Sequence, residues 1–180
     1  DSVLIHHVLS MVLHALNALL VLALLKRAPV LARSPLVPFF AALLFAVHPL
    51  QTQAVTYIIQ RPEVLASTFL LLAVISHVEW SRAWDDGHRG RFVWWGSSVV
   101  LFAAFACFSK EIVAGLPLLI LGWEFAFGAG QGKPWKERGA RLFQRTAPYL
   151  LVSVAVVIFA WRSIMHWPGG DAWPRLSYPL

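Results

Sequence analysis

This sequence predicts an all-α fold, a polytopic membrane bundle of about six transmembrane helices with a short amphipathic segment on the outer face. The first observation is composition: 58% of the 180 residues are hydrophobic and only 13% are charged, whereas soluble domains carry roughly 25% charged residues. The second is a succession of apolar runs with polar loops between them. The third is that basic side chains collect in alternate loops. Little room is left for a separate soluble domain.

The apolar runs give the order of the predicted elements. About 20 helical residues cross the ~30 Å hydrocarbon core of a bilayer. Residues 51–60 form the amphipathic segment, because their apolar side chains fall on one side of a helix. Residues 1–165 are assigned to the bundle, residues 166–180 to an outer-face interfacial tail, and 128–145 to a basic loop. The predicted crossings are residues 3–25, 36–48, 62–80, 92–108, 112–127 and 147–165.

The distribution of positive charge predicts the orientation. Eleven of the 15 Lys and Arg residues lie in three alternating loops, and the positive-inside rule places these loops in the cytoplasm. The amino terminus, the polar stretch at residues 48–63, the corner at 109–111 and the tail are then outside. The net charge of +6 is thus a topology signal, and we expect no nucleic-acid partner.

The first predicted helix carries a polar stripe. His7, Ser10, His14 and Asn17 fall on one helical face, because their spacing follows the helical repeat. We expect this stripe to face protein and not lipid. Two explanations stay open: the stripe bonds to neighbouring helices, or it forms the wall of a ligand site.

Several ionisable side chains meet on the outer face of this topology. Arg61 and Lys110 are the cations available there before the sixth helix. Arginine suits bidentate contact with phosphate and lysine supplies a mobile point charge, so these residues are candidates for an anionic lipid site. An equally weighted alternative is that they simply pair with carboxylates at helix ends. The candidate wall of the site comprises His48, Gln53, Glu63 and Glu111.

Three motifs resemble the membrane part of a known family. The first is the spaced His and Asn pattern of the first helix, the second runs from His48-Pro49 through Arg61 and Glu63 to Ala66, and the third is Ser109-Lys110-Glu111 followed by Leu116-Pro117-Leu118. Over roughly residues 6–125 they resemble the transmembrane-and-tetratricopeptide O-mannosyltransferases and their bacterial relatives with tetratricopeptide repeats, in the GT-C class.

The resemblance implies a glycosyltransferase that passes a sugar from a polyprenyl-phosphate carrier to an acceptor on the non-cytoplasmic face. It makes Arg61 and Lys110 candidates for binding the carrier phosphate. Gln53 stands where the family usually has Glu, and Ser10 where it has Asn. The acidic first-loop motif of the class is expected before this segment, and Asp1 does not match it, so no catalytic residue is assigned and activity of this chain alone stays open.

Two other interpretations come from different classes. One is a non-catalytic subunit of a larger membrane assembly, a degenerate or truncated relative. The other is a pigment- or haem-binding bundle, because His6, His7, His14 and His77 lie in predicted helices. The single Cys107 excludes an internal disulfide. We expect no metal site, although a divalent cation bound with a lipid-linked donor stays open. The expected location is a bacterial inner membrane, with the site facing the periplasm.

Overall fold

The computed structural model describes residues 2–51, 61–110, 114–128, 134, 136–147, 149, 158 and 162. Within these ranges the chain is helical and contains no strand, which confirms the all-α prediction. Short 3-10 helices at Leu31–Arg33 and Pro49–Gln51 flank the second helix. The five α-helices are α1 (Ser2–Leu25), α2 (Leu36–Val47), α3 (Arg61–Asp85), α4 (Arg89–Ser109) and α5 (Leu116–Phe127).

Three of these helices are long and apolar enough to cross a membrane. They are α1, α3 and α4, whereas α2 and α5 are apolar but have only 12 residues each. The predicted amphipathic segment lies outside the described residues except at Gln51, and the tail at 166–180 lies wholly outside them. Only a few residues of the predicted sixth crossing are described. Six crossings therefore stay a prediction.

Helix α3 occupies the centre of the described bundle. It packs along α4 and also contacts α1 and α5. Of the most apolar 18-residue stretch of α3, 61% is buried, against 11% of the corresponding stretch of α1 and 17% of that of α4. The core where α3, α4 and α5 meet includes Ala73, Ala103, Ala106 and Ile120. Small side chains let helix backbones approach closely, which is how helices pack in lipid.

The outer surfaces of α1 and α2 are apolar and exposed. Leu19 in α1 is 62% exposed and Leu44 in α2 is 63% exposed. These exposed apolar surfaces of α1 and α2 suit contact with lipid chains. Leu36 and Pro38 lie in the first turn of α2, where the missing N–H of proline costs little.

Two predicted boundaries were wrong. Helix α3 does not end at Trp80 but continues to Asp85. Glu79 and Arg82 form an ion pair at i, i+3 in this last part of the helix, and pairs at this spacing stabilise a helix. The fifth helix begins at Leu116 and not at residue 112, with Pro117 in its first turn. Residues 111–113 lie outside the described part of the chain.

The basic stretch at 128–145 is not simply a loop. Residues 136–147 are helical, and Arg145 at the end of this helix has a side chain only 6% exposed. Arg145 was assigned to a basic loop from the sequence, and its burial was not predicted. Acidic partners on α3 and α5 surround the guanidinium and compensate for its loss of hydration.

Candidate functional site

The start of α3 and the end of α4 meet at the end of the bundle that the charge pattern places outside. Glu63 in the first turn of α3 forms an ion pair with Lys110, the residue that follows α4. Their side chains are 39% and 36% exposed, so a ligand could reach both. The helices run antiparallel, which is why residues 47 positions apart in the chain become neighbours.

Arg61 is the first residue of α3, two positions before Glu63. Its Nε and Nη2 atoms are buried and have no hydrogen-bond partner among the described residues. Buried polar atoms nearly always find a partner, because leaving a charged donor without one is costly. The guanidinium therefore has hydrogen-bonding capacity that the described side chains do not use.

A cleft of about 370 Å³ adjoins this end of α3. Glu63 and Ser67 border it from α3, and His14 and Asn17 border it from α1. Asn17 donates to the Val64 carbonyl at 3.1 Å. Asn17 thus holds the start of α3 in place and lines the cleft at the same time.

The other residues of the α1 stripe take different positions. His14 Nε2 lies 3.0 Å from the carbonyl oxygen of Ala46 near the end of α2, and its ring stacks on Phe45. Ser10 is buried at 2% exposure, whereas His7 is half-buried. Thr68 completes the arrangement by donating to the Asn17 side-chain oxygen at 2.7 Å.

The remaining predicted wall residues are only partly described. His48 is exposed directly after α2, and its Nδ1 accepts a hydrogen bond from the Leu50 amide at 3.2 Å. Gln53 and Glu111 lie outside the described residues. In the described ranges no three His, Cys, Asp or Glu side chains are grouped so that they could hold a metal ion.

A second polar cluster lies at the opposite end of the bundle, and the sequence interpretation missed it. Glu124 of α5 has a side chain only 4% exposed. It accepts from Ser81 at 3.0 Å, from Arg145 at 3.3 Å, and lies 3.0 Å from His77 Nε2. The other ring nitrogen of His77 lies 3.0 Å from the Tyr149 hydroxyl. Both ring nitrogens of His77 are thus engaged, which leaves neither for a haem or pigment metal.

The signal that could have revealed this cluster is Glu124 itself. A lone carboxylate in an apolar helix is costly and usually marks a partner or a function. Arg145 is the matching cation, and it also pairs with Asp85 at 2.5 Å. Both carboxylates of the neighbouring Asp85 and Asp86 stay partly exposed, at 37% and 52%, and Asp86 lies 3.6 Å from the exposed Arg91.

Comparisons with known proteins support the resemblance expected from the motifs. Protein O-mannosyl-transferase TMTC3 of Homo sapiens is 33% identical over 107 residues, 59% of this chain and 11% of the relative. TMTC1 of Homo sapiens is 37% identical over 84 residues, 47% of this chain and 9% of the relative. Tmtc3 of Drosophila melanogaster is 36% identical over 78 residues, 43% of this chain and 8% of the relative.

The chain thus spans about a tenth of the length of these relatives. No family model matches the chain, and no solved structure matches it. The relatives share a name that denotes O-mannosyl transfer, and they match this chain at 33–37% identity. Over about half of its length, this chain is therefore similar to the protein O-mannosyl-transferases, as its motifs predict.

Proposed function

We propose that this chain is the carrier-binding membrane region of a glycosyltransferase that transfers a sugar from a polyprenyl phosphate to an acceptor hydroxyl. By analogy with the names of its relatives, the sugar is mannose and the product an O-mannosyl group. In this reaction the bond between the sugar C1 and the phosphate oxygen breaks, a bond from C1 to the acceptor oxygen forms, and the hydroxyl proton leaves to a base. The protein must therefore stabilise a departing phosphate.

The single observation that carries the proposal is the state of Arg61. Its buried Nε and Nη2 donors have no hydrogen-bond partner among the described residues. Two adjacent guanidinium donors match two oxygens of a phosphate in bidentate geometry. Binding a carrier phosphate would supply the hydrogen bonds that the described side chains do not provide.

The ion pair between Glu63 and Lys110 supports the same function. Lys110 lies at the same end of the bundle as Arg61, and Glu63 offsets its charge. Because both side chains are partly exposed, the lysine can turn from the carboxylate to a phosphate without breaking a buried contact. In this proposal Arg61 holds the phosphate by a fixed fork, and Lys110 adds a mobile charge as negative charge develops on the leaving group. His48, Gln53 and Glu111 complete the proposed wall.

The proposed topology has six crossings, with the Arg61 end on the non-cytoplasmic face. It is supported by three helices of spanning length and by the basic loops at the opposite end. We place the chain in a cellular membrane with its site outside the cytoplasm. A bacterial inner membrane remains part of the proposal through the motif resemblance to bacterial repeat proteins, whereas the relatives compared above are eukaryotic.

The test uses the full-length protein in nanodiscs with undecaprenyl phosphate as the probe. Arg61→Ala should weaken carrier binding about ten-fold or more, the loss expected for charge-assisted hydrogen bonds of ~1.5–3 kcal/mol. Arg61→Lys should lose part of the binding, because a fork becomes a point charge. Arg89→Ala is the matched control: Arg89 is an exposed helix-terminal arginine of α4 at the opposite end.

Mannosyl transfer from a polyprenyl-phosphate donor is measured on the same preparations, and size-exclusion profiles verify that each variant stays folded. Equal carrier binding by wild type and both Arg61 variants would refute the assigned role of Arg61. Unchanged transfer by a folded Arg61→Ala variant would refute the proposed function of this site.

A further inference from the structure

A second cleft, of about 450 Å³, opens at the end of the bundle opposite Arg61. Its walls come from the segment after α1, the end of α3, the end of α5 and the helix at 136–147. The charge pattern assigns this end to the cytoplasm. Four arginines border the cleft: Arg27, Arg33, Arg82 and Arg145.

Carboxylates pair with three of these four arginines, but Glu79 is shared between Arg27 and Arg82, and the Arg82 side chain stays 45% exposed. Glu79 lies 2.8 Å from Arg27 and 3.1 Å from Arg82. Arg82 also donates to the Arg27 carbonyl at 2.8 Å, so these two guanidinium groups are held in place. The third arginine, Arg145, is held by its two buried or half-buried carboxylate partners at the base of the cleft.

Arg33 is the remaining arginine. It is exposed at the end of the 3-10 helix that follows α1, and it forms no ion pair with another described residue. Two carboxylates, Asp85 and Glu124, line the cleft with the four arginines, and Glu79 pairs with Arg27 and Arg82 from beside it. Glu79 also lies 3.9 Å from Arg91, which does not border the cleft, so at least one net positive charge is left around the cleft. A phosphodiester carries one negative charge, so it matches this excess.

The rest of the cleft is apolar. Val30, Val78, Trp123 and Phe127 contribute to its walls, and the rings of Trp123 and Phe127 lie 4.9 Å apart. Tryptophan is enriched where the headgroup and acyl regions of a bilayer meet. The cleft therefore presents cations at its rim and an apolar wall beside them, which is the pattern that an amphiphile with an anionic headgroup requires.

We propose that this cleft binds the phosphodiester headgroup of an anionic phospholipid from the cytoplasmic leaflet. Arg33 and Arg82 contact the phosphate, and the wall formed by Trp123 and Phe127 covers the first part of an acyl chain. Basic pockets between membrane helices on the cytoplasmic side commonly hold such headgroups. The proposal does not depend on the glycosyltransferase function, because it uses none of the residues at the Arg61 end.

The experiment counts bound lipids on the full-length protein by native mass spectrometry. The protein is taken from nanodiscs of phosphatidylcholine containing one-fifth phosphatidylglycerol. Arg33→Gln should retain about five-fold less phosphatidylglycerol than wild type, the order expected for one basic residue near a membrane surface. Arg89→Gln is the matched control, because Arg89 is also exposed at this end but does not border the cleft.

A second arm separates lipid from soluble phosphate esters. Glycerol 1-phosphate at millimolar concentration should leave the bound phosphatidylglycerol unchanged, since it lacks the acyl chain that the apolar wall covers. Efficient competition by glycerol 1-phosphate would overturn the lipid assignment in favour of a soluble phosphate ester. Equal lipid retention by Arg33→Gln and wild type, or equal losses in Arg33→Gln and Arg89→Gln, would overturn the site.

Discussion

Removing the buried carboxylate of Glu124 should be among the most destabilising single changes in the described part of the chain. Glu124→Leu leaves the guanidinium of Arg145, 6% exposed, with Asp85 as its remaining ionic partner. Breaking a buried pair from one side costs about 3–5 kcal/mol. Because Asp85 is 37% exposed and still compensates in part, we expect about 3 kcal/mol for the free energy of unfolding.

The chain offers an internal comparison for this value. Asp86 and Arg91 also form an ion pair, but their side chains are 52% and 51% exposed, so Asp86→Asn should cost less than about 1 kcal/mol. The double variant Glu124→Leu/Arg145→Leu should be more stable than the sum of the two single losses predicts, because it leaves no unpaired buried charge.

Equilibrium unfolding in mixed micelles, followed by far-ultraviolet circular dichroism against the mole fraction of sodium dodecyl sulfate, measures these differences. The reasoning is refuted if Glu124→Leu stays within about 1 kcal/mol of wild type, the range of an exposed pair. It is also refuted if the losses of the two single variants simply add in the double variant.

Two further predictions concern packing and topology. Gly96→Ala should destabilise the bundle by about 1 kcal/mol or more, because a Cβ there would lie 3.2 Å from Cδ1 of the buried Trp80, whereas Gly122→Ala, with nothing within 4 Å, should be neutral or stabilising in the same unfolding assay. In a Cys107→Ser background, an impermeant maleimide should label Gln53→Cys in intact cells, and Arg89→Cys and Lys136→Cys only after permeabilisation; the reverse pattern would contradict the proposed orientation.

The long helices could be predicted from sequence because their apolar runs are about as long as a membrane crossing requires. Their ends could not, since polar residues such as Glu79 and Arg82 look like a turn until a partner from another helix is known. The cluster around Glu124 was missed for the same reason. Its carboxylate stands alone in its own helix, and the arginine that neutralises it is 21 positions further along the chain.

The residues at the Arg61 end of the bundle could be brought together from the sequence, unlike those around Glu124. Arg61, Glu63 and Lys110 could be grouped from topology, because alternate helix ends must meet on one side of a membrane. The specific pairing of Glu63 with Lys110 required the packing of α3 against α4. Which donors of Arg61 stay without a partner depends on side-chain geometry, and no sequence pattern reports it.

The contacts of α1 have a consequence for the thickness of the surrounding bilayer. His14 meets the end of α2 and Asn17 meets the start of α3, so both ends lie beside the middle of α1. The span of α1 begins at His7, seven residues before His14. At about 1.5 Å per residue, this first part of α1 therefore extends roughly 10 Å beyond the level at which α2 ends and α3 begins. A bilayer that fits α1 would be too thick for α2, and hydrophobic mismatch of this kind thins the membrane locally. The resulting depression would let a lipid phosphate descend towards Arg61 while it stays hydrated.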